Sequence, residues 1–283
     1  MVVGASGVLG GAIVRNFVSR GLEVVVAGRN VKTLHALRLS IPRQSQDRVH
    51  AIPVDVTDSL GVKDFFDRID SEIGVPRRLV MAAGIYGAIG AVGEVNPNSW
   101  RRAIEVNLFG VYNCCHCLIP RLIQAGRGGS IINIAGGGSS GPLEYLSSYA
   151  ISKVAVARLS DSLSREVSSY GITVNAVLPG PVDSPMQDEL LDAGLRAGHW
   201  HRQFLSMREN NEGWAFPERT AELVAFLLFG HGRHLTGKLL SARYDHFDQW
   251  TEDQVKNIAT SELYTLRRVD PATIERVLNG GVI

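Results

Sequence analysis

The sequence contains few cysteines, and their placement excludes several classes of protein. Only three occur in 283 residues, and all of them, Cys114, Cys115 and Cys117, fall in one short run. An odd number of clustered cysteines does not make a disulfide framework and is typical of a reduced, cytoplasmic chain. His116 lies inside the run, but no second ligand pair accompanies it. We therefore expect buried small side chains here and no metal.

An excess of charge of one sign is also absent. Lys and Arg total 29 against 28 Asp and Glu, and the pI is about 7.8. This balance creates no broad field toward nucleic acid or an anionic membrane, so neither is expected as a partner. Apolar stretches such as 130–135 and 221–229 are too short to span a bilayer. The uncharged start, 1–14, lacks a basic leader and is expected to be structural.

Composition and periodicity predict one folded α/β domain. Hydrophobic residues make up 45% of the chain and charged residues 20%, as in ordinary globular domains. Short β-branched runs alternate with amphipathic segments in which apolar residues recur at helical spacing. This alternation predicts a Rossmann-type, doubly wound, parallel seven-stranded sheet. The predicted strands are Met1–Val3, Glu23–Ala27, Val49–Val54, Leu79–Ala82, Ser130–Ile134, Thr173–Val177 and Lys238–Ser241.

Two segments depart from this alternation. Residues 186–216 mix polar and aromatic side chains, among them His199, Trp200 and His201, and predict a lid inside a domain of residues 1–243. Residues 244–283 follow the last predicted strand and predict a C-terminal tail. No stretch rich in Pro, Gly or Ser marks a second domain. The first strand is shorter than a usual central strand, and we expect that it is truncated at its start.

A glycine-rich loop joins the first predicted strand to the first predicted helix. Gly4, Gly7 and Gly10 form a GxxGxxG run, and the helix after it carries Ile13 and Phe17. Backbone N–H groups at such a helix start can hold a pyrophosphate that small residues allow to approach. Because glycine turns between strand and helix are common, the loop indicates a dinucleotide site only together with further motifs.

The end of the second predicted strand bears on the choice of dinucleotide. A carboxylate there would bind the adenosine ribose hydroxyls of NAD, but Ala27 is followed by Gly28 and Arg29. Gly28 leaves space, and the Arg29 guanidinium can pair with a 2′-phosphate. This favours NADP, with NAD possible. The alternative is that Arg29 is a solvated side chain at the start of the next helix.

A tyrosine and a lysine four residues apart open a long predicted helix. Tyr149 and Lys153 then lie on one helix face, which places an ammonium beside a phenol. A phenol ordinarily has a pKa of about 10, and a neighbouring cation favours its ionised form. The pair is therefore a candidate for proton transfer near neutral pH.

With this pair, the glycine loop and Asn107, residues 1–242 resemble the short-chain dehydrogenase/reductase family. Further matching motifs are 54–56 (VDV), 82–84 (AAG) and 178–182 (LPGPV). The resemblance implies a Rossmann domain that binds NAD(P), with Tyr149 as general acid or base, Lys153 on the nicotinamide ribose and Asn107 in a water relay. The cofactor-binding residues that it implies are Gly4, Ser6, Gly7, Leu9, Gly10, Arg29, Asp55, Val56, Ala82, Ala83, Gly84, Tyr149, Lys153, Pro179, Gly180, Val182 and Ser184.

One position departs from the family pattern where it affects chemistry. A serine that steadies the substrate oxygen lies thirteen residues before the tyrosine in this family, but Gly136 stands there. Losing one donor to a developing oxyanion slows a reaction by about 10² to 10³. Candidate replacements are Ser139, which we favour, Ser140, or backbone N–H groups of the loop. The alternative is that both serines cap a turn.

Together these motifs predict an NAD(P)-dependent oxidoreductase that transfers a hydride between nicotinamide and a carbonyl or secondary alcohol. The polar lid points to a small, polyhydroxylated substrate. The alternative is a nucleotide-binding member with little or no turnover, because Gly136 replaces the serine. An epimerase or dehydratase is disfavoured, since no separate substrate domain follows the last strand. Helical stretches 100–122 and 147–170 commonly pair between subunits in the family, which implies a homodimer or homotetramer.

Overall fold

Parallel strands form the centre of the protein. The computed structural model describes residues 1–278. The strands are β1 (Val2–Val3), β2 (Val24–Gly28), β3 (Val49–Pro53), β4 (Arg78–Met81), β5 (Gly129–Ile134), β6 (Ile172–Leu178) and β7 (Leu239–Ser241). Their order in the sheet is β3-β2-β1-β4-β5-β6-β7, and every neighbouring pair is parallel. The predicted doubly wound, seven-stranded sheet is confirmed, with its winding reversed between β1 and β4.

Helices cover both faces of this sheet. They are α1 (Val8–Ser19), α2 (Val31–Ser40), α3 (Ser59–Glu72), α4 (Pro97–Ile104), α5 (Gly110–Ala125), α6 (Ser147–Glu166), α7 (Pro185–Asp192), α8 (His199–Asn210), α9 (Pro217–Phe229), α10 (Glu252–Thr260) and α11 (Pro271–Leu278). None of the helices described is both long and apolar enough to cross a membrane.

The core consists of two apolar layers, one on each face of the sheet. Ile13 and Phe17 of α1 pack with Leu227 of α9 in the first layer. Phe66 of α3 and Leu118 of α5 pack in the second. Side chains of each buried strand point alternately into the two layers. Because both layers are apolar, the sequences of these strands are continuous apolar runs. The cysteine run 114–117 lies on α5 in the second layer.

Burial sets the chemistry of the three cysteines. Cys114, Cys115 and Cys117 are buried and none of them is in a disulfide. Burial raises the pKa of all three thiols, that of Cys115 to about 12. A thiol that stays protonated is a poor nucleophile and a poor metal ligand. These side chains therefore behave as small hydrophobic groups within α5.

The segment after β7 packs back on the domain and closes one edge of the sheet. Two N–H groups of the edge strand β7 have acceptors in this segment. The Leu239 N–H donates to the Tyr264 carbonyl oxygen at 2.7 Å, and the Ser241 N–H donates to Asp245 Oδ2 at 2.7 Å. An open edge strand is a template for pairing with another chain, and these bonds remove that possibility here. The predicted tail includes residues 279–283, which lie outside the described residues.

Candidate active site

The glycine loop lies where β1 ends and α1 begins. Gly4 has a φ of +81°, and a Cβ placed on it would collide with the Ala83 backbone nitrogen. A Cβ on Gly10 would collide with the Gly4 carbonyl oxygen. Gly7 is exposed and precedes α1 without any side-chain cap, so the first N–H groups of α1 face outward. The three glycines thus keep side chains away from the start of α1, which leaves a cradle that fits a pyrophosphate.

The predicted 2′-phosphate end of the cleft is open and carries a cation. Gly28 ends β2, and a Cβ placed on it would lie 3.6 Å from Ser6 Oγ. Arg29 follows and is exposed. The end of β2 therefore lies close to the Ser6 hydroxyl and is followed by an exposed cation, and β2 itself ends without an acidic residue. This is the donor set that a phosphate monoester would need.

Asp55 lies after β3, next to this end of the cleft. Its Oδ1 accepts hydrogen bonds from the Thr57 N–H and hydroxyl, at 2.9 and 2.8 Å. Burial opposes ionisation of Asp55, but the Thr57 hydrogen bonds and the charges of Arg102 and Arg29 outweigh it and lower the pKa of the carboxyl. Asp55 is therefore an anionic acceptor, suited to an adenine amino group. The neighbouring Val56 is buried and packs against Gly110.

Asn107 organises the segment that follows β4. It lies in a π-helical turn, Glu105–Phe109, between α4 and α5, a geometry often found at functional sites. Asn107 is fully buried, its Oδ1 accepts the Ile85 N–H, and its Nδ2 donates to the Ile85 carbonyl and to Ser152 Oγ, all at 2.9 Å. Asn107 thereby ties the loop after Ala82, Ala83 and Gly84 to α6.

Tyr149 and Lys153 lie on the face of α6 that meets the end of β5. The Lys153 ammonium donates to the Ile134 carbonyl oxygen at 2.9 Å and lies 5.7 Å from the centroid of the Tyr149 ring. A Cβ placed on Gly84 would lie 3.2 Å from Lys153 Nζ and 3.4 Å from Asn107 Oδ1. The structure therefore brings Tyr149, Lys153, Asn107 and Gly84 together at the carboxyl ends of β4 and β5.

Burial dominates the ionisation of both side chains. It raises the pKa of Tyr149 to about 12 and lowers the pKa of Lys153 to about 8. The sequence predicts that the Lys153 cation favours the ionised form of Tyr149, and this prediction is wrong for the folded protein. The desolvation that α6, β5 and the lid impose outweighs the charge of one amine. At neutral pH Tyr149 is a protonated phenol.

Gly136 lies directly against the Tyr149 hydroxyl. A Cβ placed on Gly136 would be 2.5 Å from Tyr149 Oη and 3.2 Å from Lys153 Cγ. Van der Waals contact between such atoms requires more than 3 Å, so a side chain here would displace the phenol. The space next to β5 that a serine side chain would use is taken by Tyr149 itself.

The two serines proposed to replace the missing hydroxyl are engaged within the loop. Ser139 is buried, and its hydroxyl donates to the Lys153 carbonyl oxygen at 2.9 Å. The Ser140 hydroxyl donates to the Gly137 carbonyl oxygen at 3.3 Å. This geometry favours the alternative in which both serines hold the turn and fasten it to α6.

Sequence reasoning missed Tyr86, which packs on Tyr149. The two ring centroids are 4.9 Å apart at an interplanar angle of 62°. The Tyr86 hydroxyl donates to Gln187 Oε1 of α7 at 2.8 Å. Its position two residues after the AAG motif of β4 was the available signal, because the carboxyl ends of neighbouring parallel strands share one edge of the sheet.

The turn after β6 leads into the predicted lid. Gly180 has a φ of +82°, Pro179 and Val182 are buried, and Ser184 precedes α7. Helices α7 and α8 form most of residues 186–216, and their apolar faces pack with Tyr86 and Leu146 in one cluster. The Trp200 indole of α8 donates to the Glu144 carbonyl oxygen at 2.9 Å. The lid thus covers the side of the cleft that carries Tyr149.

A cavity of about 480 Å³ opens between α4 and α7. It is bounded on one side by the loop that carries Tyr86 and on the other by the lid helix. Arg102 and Glu189 place opposite charges on its wall, and burial raises the pKa of Glu189. Such a volume suits a small molecule. The cavity is lined by Ile85, Gly87, Asn98, Ser99, Arg102 and Glu189.

Comparison with known proteins agrees with this geometry. A family model described as short chain dehydrogenase matches residues 1–194. The cis-4-hydroxycyclohexanecarboxylate dehydrogenase of Sinomonas cyclohexanicum is 32% identical over 241 residues, 85% of this chain and 93% of that protein. A crystal structure of an actinorhodin polyketide ketoreductase variant with NADPH has a TM-score of 0.76 and 26% identity, covering 85% of this chain and 94% of that one.

A mycobacterial protein matches over a shorter part. The probable oxidoreductase EphD of Mycobacterium tuberculosis is 31% identical over 183 residues, which is 65% of this chain. The match spans only 31% of the length of EphD. The shared part therefore corresponds to one portion of a longer protein. The family model, the confirmed sheet order and these relatives together show that the chain belongs to the short-chain dehydrogenase/reductase family of oxidoreductases.

Proposed function

We propose that this protein transfers a hydride between a nicotinamide dinucleotide and a carbonyl or secondary alcohol of a small substrate. The observation that carries the proposal is the cluster of Tyr149, Lys153 and Asn107 at the carboxyl ends of β4 and β5. The glycine loop begins nearby at Gly4, where the Ala83 backbone leaves no room for a side chain. Ligands of doubly wound sheets bind in this crevice. A bound nicotinamide cofactor supplies the hydride.

The chain's own residues supply the proton. In carbonyl reduction, the Tyr149 phenol gives its proton to the substrate oxygen as the carbonyl carbon gains the hydride. A phenol with a pKa of about 12 is fully protonated at neutral pH and is ready for this step. Lys153, anchored by the Ile134 carbonyl, keeps its ammonium beside the phenol and would hold a ribose hydroxyl of the bound cofactor. Positioned proton transfer contributes about 10² to 10⁴ in rate.

We propose NADP as the preferred cofactor. Arg29 follows β2, Ser6 Oγ lies close to Gly28, and β2 ends without the acidic residue that would bind ribose hydroxyls and repel a 2′-phosphate. Asp55, whose carboxyl is held ionised by Thr57 and two arginines, is suited to the adenine. The similarity to a ketoreductase determined with NADPH supports the same choice.

The substrate class follows from the cavity between α4 and α7. Four of its six lining residues are polar or charged, with Asn98 and Ser99 beside the charges of Arg102 and Glu189. Hydroxyl or carboxylate groups on a small molecule would find partners there. We therefore propose a small substrate with several polar groups, such as a polyhydroxylated ketone or a hydroxy acid. The name of the Sinomonas relative, a hydroxycyclohexanecarboxylate dehydrogenase, fits the second of these.

Initial rates with NADPH and NADH, measured against a panel of ketones, aldoses and hydroxy acids, test the proposal. The wild type, Tyr149→Phe and Tyr170→Phe are compared in parallel. Tyr170 is exposed after α6, so its variant controls for the loss of a phenol hydroxyl away from the cleft. We expect turnover to be lost in Tyr149→Phe alone. Equal rates in all three proteins contradict the assignment.

A second candidate is cofactor binding with little or no turnover. It is favoured by one observation, the absence of a hydroxyl at Gly136, where the family's serine stabilises the substrate oxygen. Tight NADPH binding by the wild type, measured by the change in nicotinamide fluorescence, together with no turnover on the whole panel would establish this alternative.

We further propose that the protein is a homodimer or homotetramer in the reducing cytoplasm, where its three free cysteines would remain thiols. The edge of β7 is closed by the chain's own bonds, so a second copy would pair through the predicted helices instead. There, Phe109, Tyr112 and Ile151 are about half exposed. Sedimentation of the wild type and of Ile151→Glu tests this, and a monomeric wild type contradicts it.

A further inference from the structure

The hydroxyl groups around Tyr149 differ in what they donate to. Four serines around this side chain donate to main-chain carbonyl oxygens of the same region and are used in holding the fold. Tyr86 differs from them because its hydroxyl donates to a side chain of the lid, Gln187 Oε1, at 2.8 Å. Of these five hydroxyls it is the one that a movement of α7 would release. The four serine bonds are Ser139 to Lys153, Ser140 to Gly137, Ser148 to Tyr86 and Ser152 to Tyr149.

The backbone around Tyr86 is held in place from two sides. Asn107 makes two hydrogen bonds to Ile85, and the Ser148 hydroxyl donates to the Tyr86 carbonyl oxygen at 3.2 Å. The Tyr86 ring is buried and packs edge-on against Tyr149, with 4.9 Å between the centroids. A hydroxyl on so restrained a ring is preorganised, and a preorganised donor stabilises developing charge without reorganising.

Burial also keeps the Tyr86 hydroxyl a donor. It raises the pKa of Tyr86 above its ordinary value, and the nearby Tyr149 hydroxyl raises it further. The acceptor of the Tyr86 hydroxyl resembles a substrate carbonyl. Gln187 Oε1 is an amide carbonyl oxygen, which is an sp² oxygen like that of a ketone, so the Tyr86 hydroxyl is already oriented toward an acceptor of this kind.

The cavity opens beside the loop that carries Tyr86. Ile85 and Gly87, the residues on either side of Tyr86, line it, and Glu189 lines it two positions after Gln187 on α7. The cavity therefore adjoins the chain neighbours of both partners in the Tyr86–Gln187 hydrogen bond. The carbonyl oxygen of a substrate bound there would compete with the amide oxygen of Gln187 as acceptor.

We propose that Tyr86 donates the second hydrogen bond to the substrate oxygen, the bond that Gly136 cannot make, while Tyr149 transfers the proton. This inference rests on the hydride-transfer function proposed above. In carbonyl reduction the hydride adds to the carbonyl carbon, the electron pair of the C=O π bond takes the proton from Tyr149 Oη, and Tyr86 keeps its own proton. In alcohol oxidation the same bonds form and break in reverse.

A comparison of Tyr86→Phe and Gln187→Met tests the proposal. Tyr86→Phe keeps the ring against Tyr149 and removes only the hydroxyl. Gln187→Met breaks the same Tyr86–Gln187 bond from the lid side, together with the bond from Gln187 Nε2 to the Val182 carbonyl oxygen, but it leaves the Tyr86 hydroxyl in place, so it is the control. We expect Tyr86→Phe to lower kcat by about 10² to 10³ with little change in KM, because the bond strengthens in the transition state. Gln187→Met is expected to keep a kcat close to that of the wild type.

The possible results distinguish a failure of this inference from a failure of the proposed function. NADPH binding and melting temperature are measured for both variants; NADPH binding is expected to match the wild type, and the melting temperature is expected to fall in both, because each variant leaves a buried polar group without its partner. An unchanged kcat in Tyr86→Phe, a change confined to KM, or an equal loss of kcat in both variants overturns the role of Tyr86, the last because the bond would then act only as a lid latch. An inactive wild type, or an active Tyr149→Phe, overturns the proposed function instead.

Discussion

Gly136 and Tyr149 are complementary in shape: the phenol hydroxyl occupies the position that a side chain on residue 136 would need. A Cβ at 136 would lie 2.5 Å from Tyr149 Oη and 3.1 Å from Tyr149 Cζ. The effect of Gly136 is therefore not limited to the missing serine hydroxyl. The glycine lets the phenol lie against the end of β5, and in the proposal above Tyr86 takes the place of the missing serine at the substrate oxygen.

Restoring the family's serine should harm this protein. Gly136→Ser and Gly136→Ala both add the Cβ that collides with the Tyr149 hydroxyl, so the phenol must shift away from the reacting atoms. A misplacement of about 1 Å can lower a rate about 10²-fold, and we expect kcat to fall by this order in both variants while NADPH binding persists.

The matched control for this experiment is Gly141→Ala in the same loop. Gly141 is exposed, and a Cβ placed on it would meet nothing within 4 Å. Its kcat and melting temperature should remain those of the wild type. If Gly136→Ser instead gained turnover, Tyr149 would have room to coexist with a serine, and the shape argument would be wrong.

Burial of the Lys153 ammonium should make its removal stabilising in a pH-dependent way. The folded pKa of about 8 lies below the ordinary 10.5, so the folded protein disfavours the charged form. This penalty is complete below about pH 8 and disappears as the pH rises to about 10.5, because the unfolded chain then also loses the proton. The shift corresponds to an energy of the order of 3 kcal/mol.

Lys153→Met removes that penalty and also the hydrogen bond to Ile134, whose loss costs about 1 to 3 kcal/mol. We expect the variant to be inactive but at least as stable as the wild type at pH 7. Its advantage in the free energy of unfolding should shrink between pH 8 and pH 10.5, measured by urea denaturation at each pH. A difference that is constant with pH would show that Lys153 is not desolvated in the folded protein.

The parts of the site that lie in one short segment could be predicted from the sequence. Tyr149 and Lys153 face the same way because they are four residues apart on α6, and Gly4 and Gly10 form the cradle because the loop links β1 to α1. The parallel topology alone also predicts that residues at the carboxyl ends of the other strands lie near this pair, because those ends share one edge of the sheet.

The parts that depend on tertiary packing could not be predicted. Tyr86 is distant from Tyr149 in the sequence, and it meets that ring because tertiary contacts, among them those of Asn107 with Ile85 and of Ser148 with Tyr86, hold its loop in place. The raised pKa of the Tyr149 phenol also depends on tertiary packing and could not be predicted from the sequence. A neighbouring charge can be read from helical spacing, but desolvation depends on what the lid and β5 place around the ring.

Cofactor preference should depend on Arg29. Arg29 directly follows β2, whose last residue, Gly28, lies close to the Ser6 hydroxyl, and we expect the Arg29 guanidinium to pair with the 2′-phosphate of NADPH. Arg29→Gln should raise the KM for NADPH about tenfold, equivalent to about 1.4 kcal/mol, and leave the KM for NADH nearly unchanged. Lys32→Gln removes an exposed positive charge from the first turn of α2 and is the control. Equal effects of Arg29→Gln on both cofactors would rule out recognition of the 2′-phosphate by this side chain.

Asn107 should matter for stability as well as for activity. Asn107→Ala leaves the Ile85 N–H and carbonyl without their buried partners, and each unsatisfied group costs about 1 to 3 kcal/mol. We expect a lower melting temperature and a kcat reduced to the level of Tyr86→Phe, since the loop that carries Tyr86 would lose its anchor. Asn113→Ala is the comparison, because Asn113 Nδ2 donates to the Val56 carbonyl at 2.8 Å on the far side of the π-helical turn. If Asn107→Ala were destabilised but kept full kcat, the anchor would serve the fold alone, and the path from Asn107 through Ile85 to Tyr86 would carry no part of the chemistry.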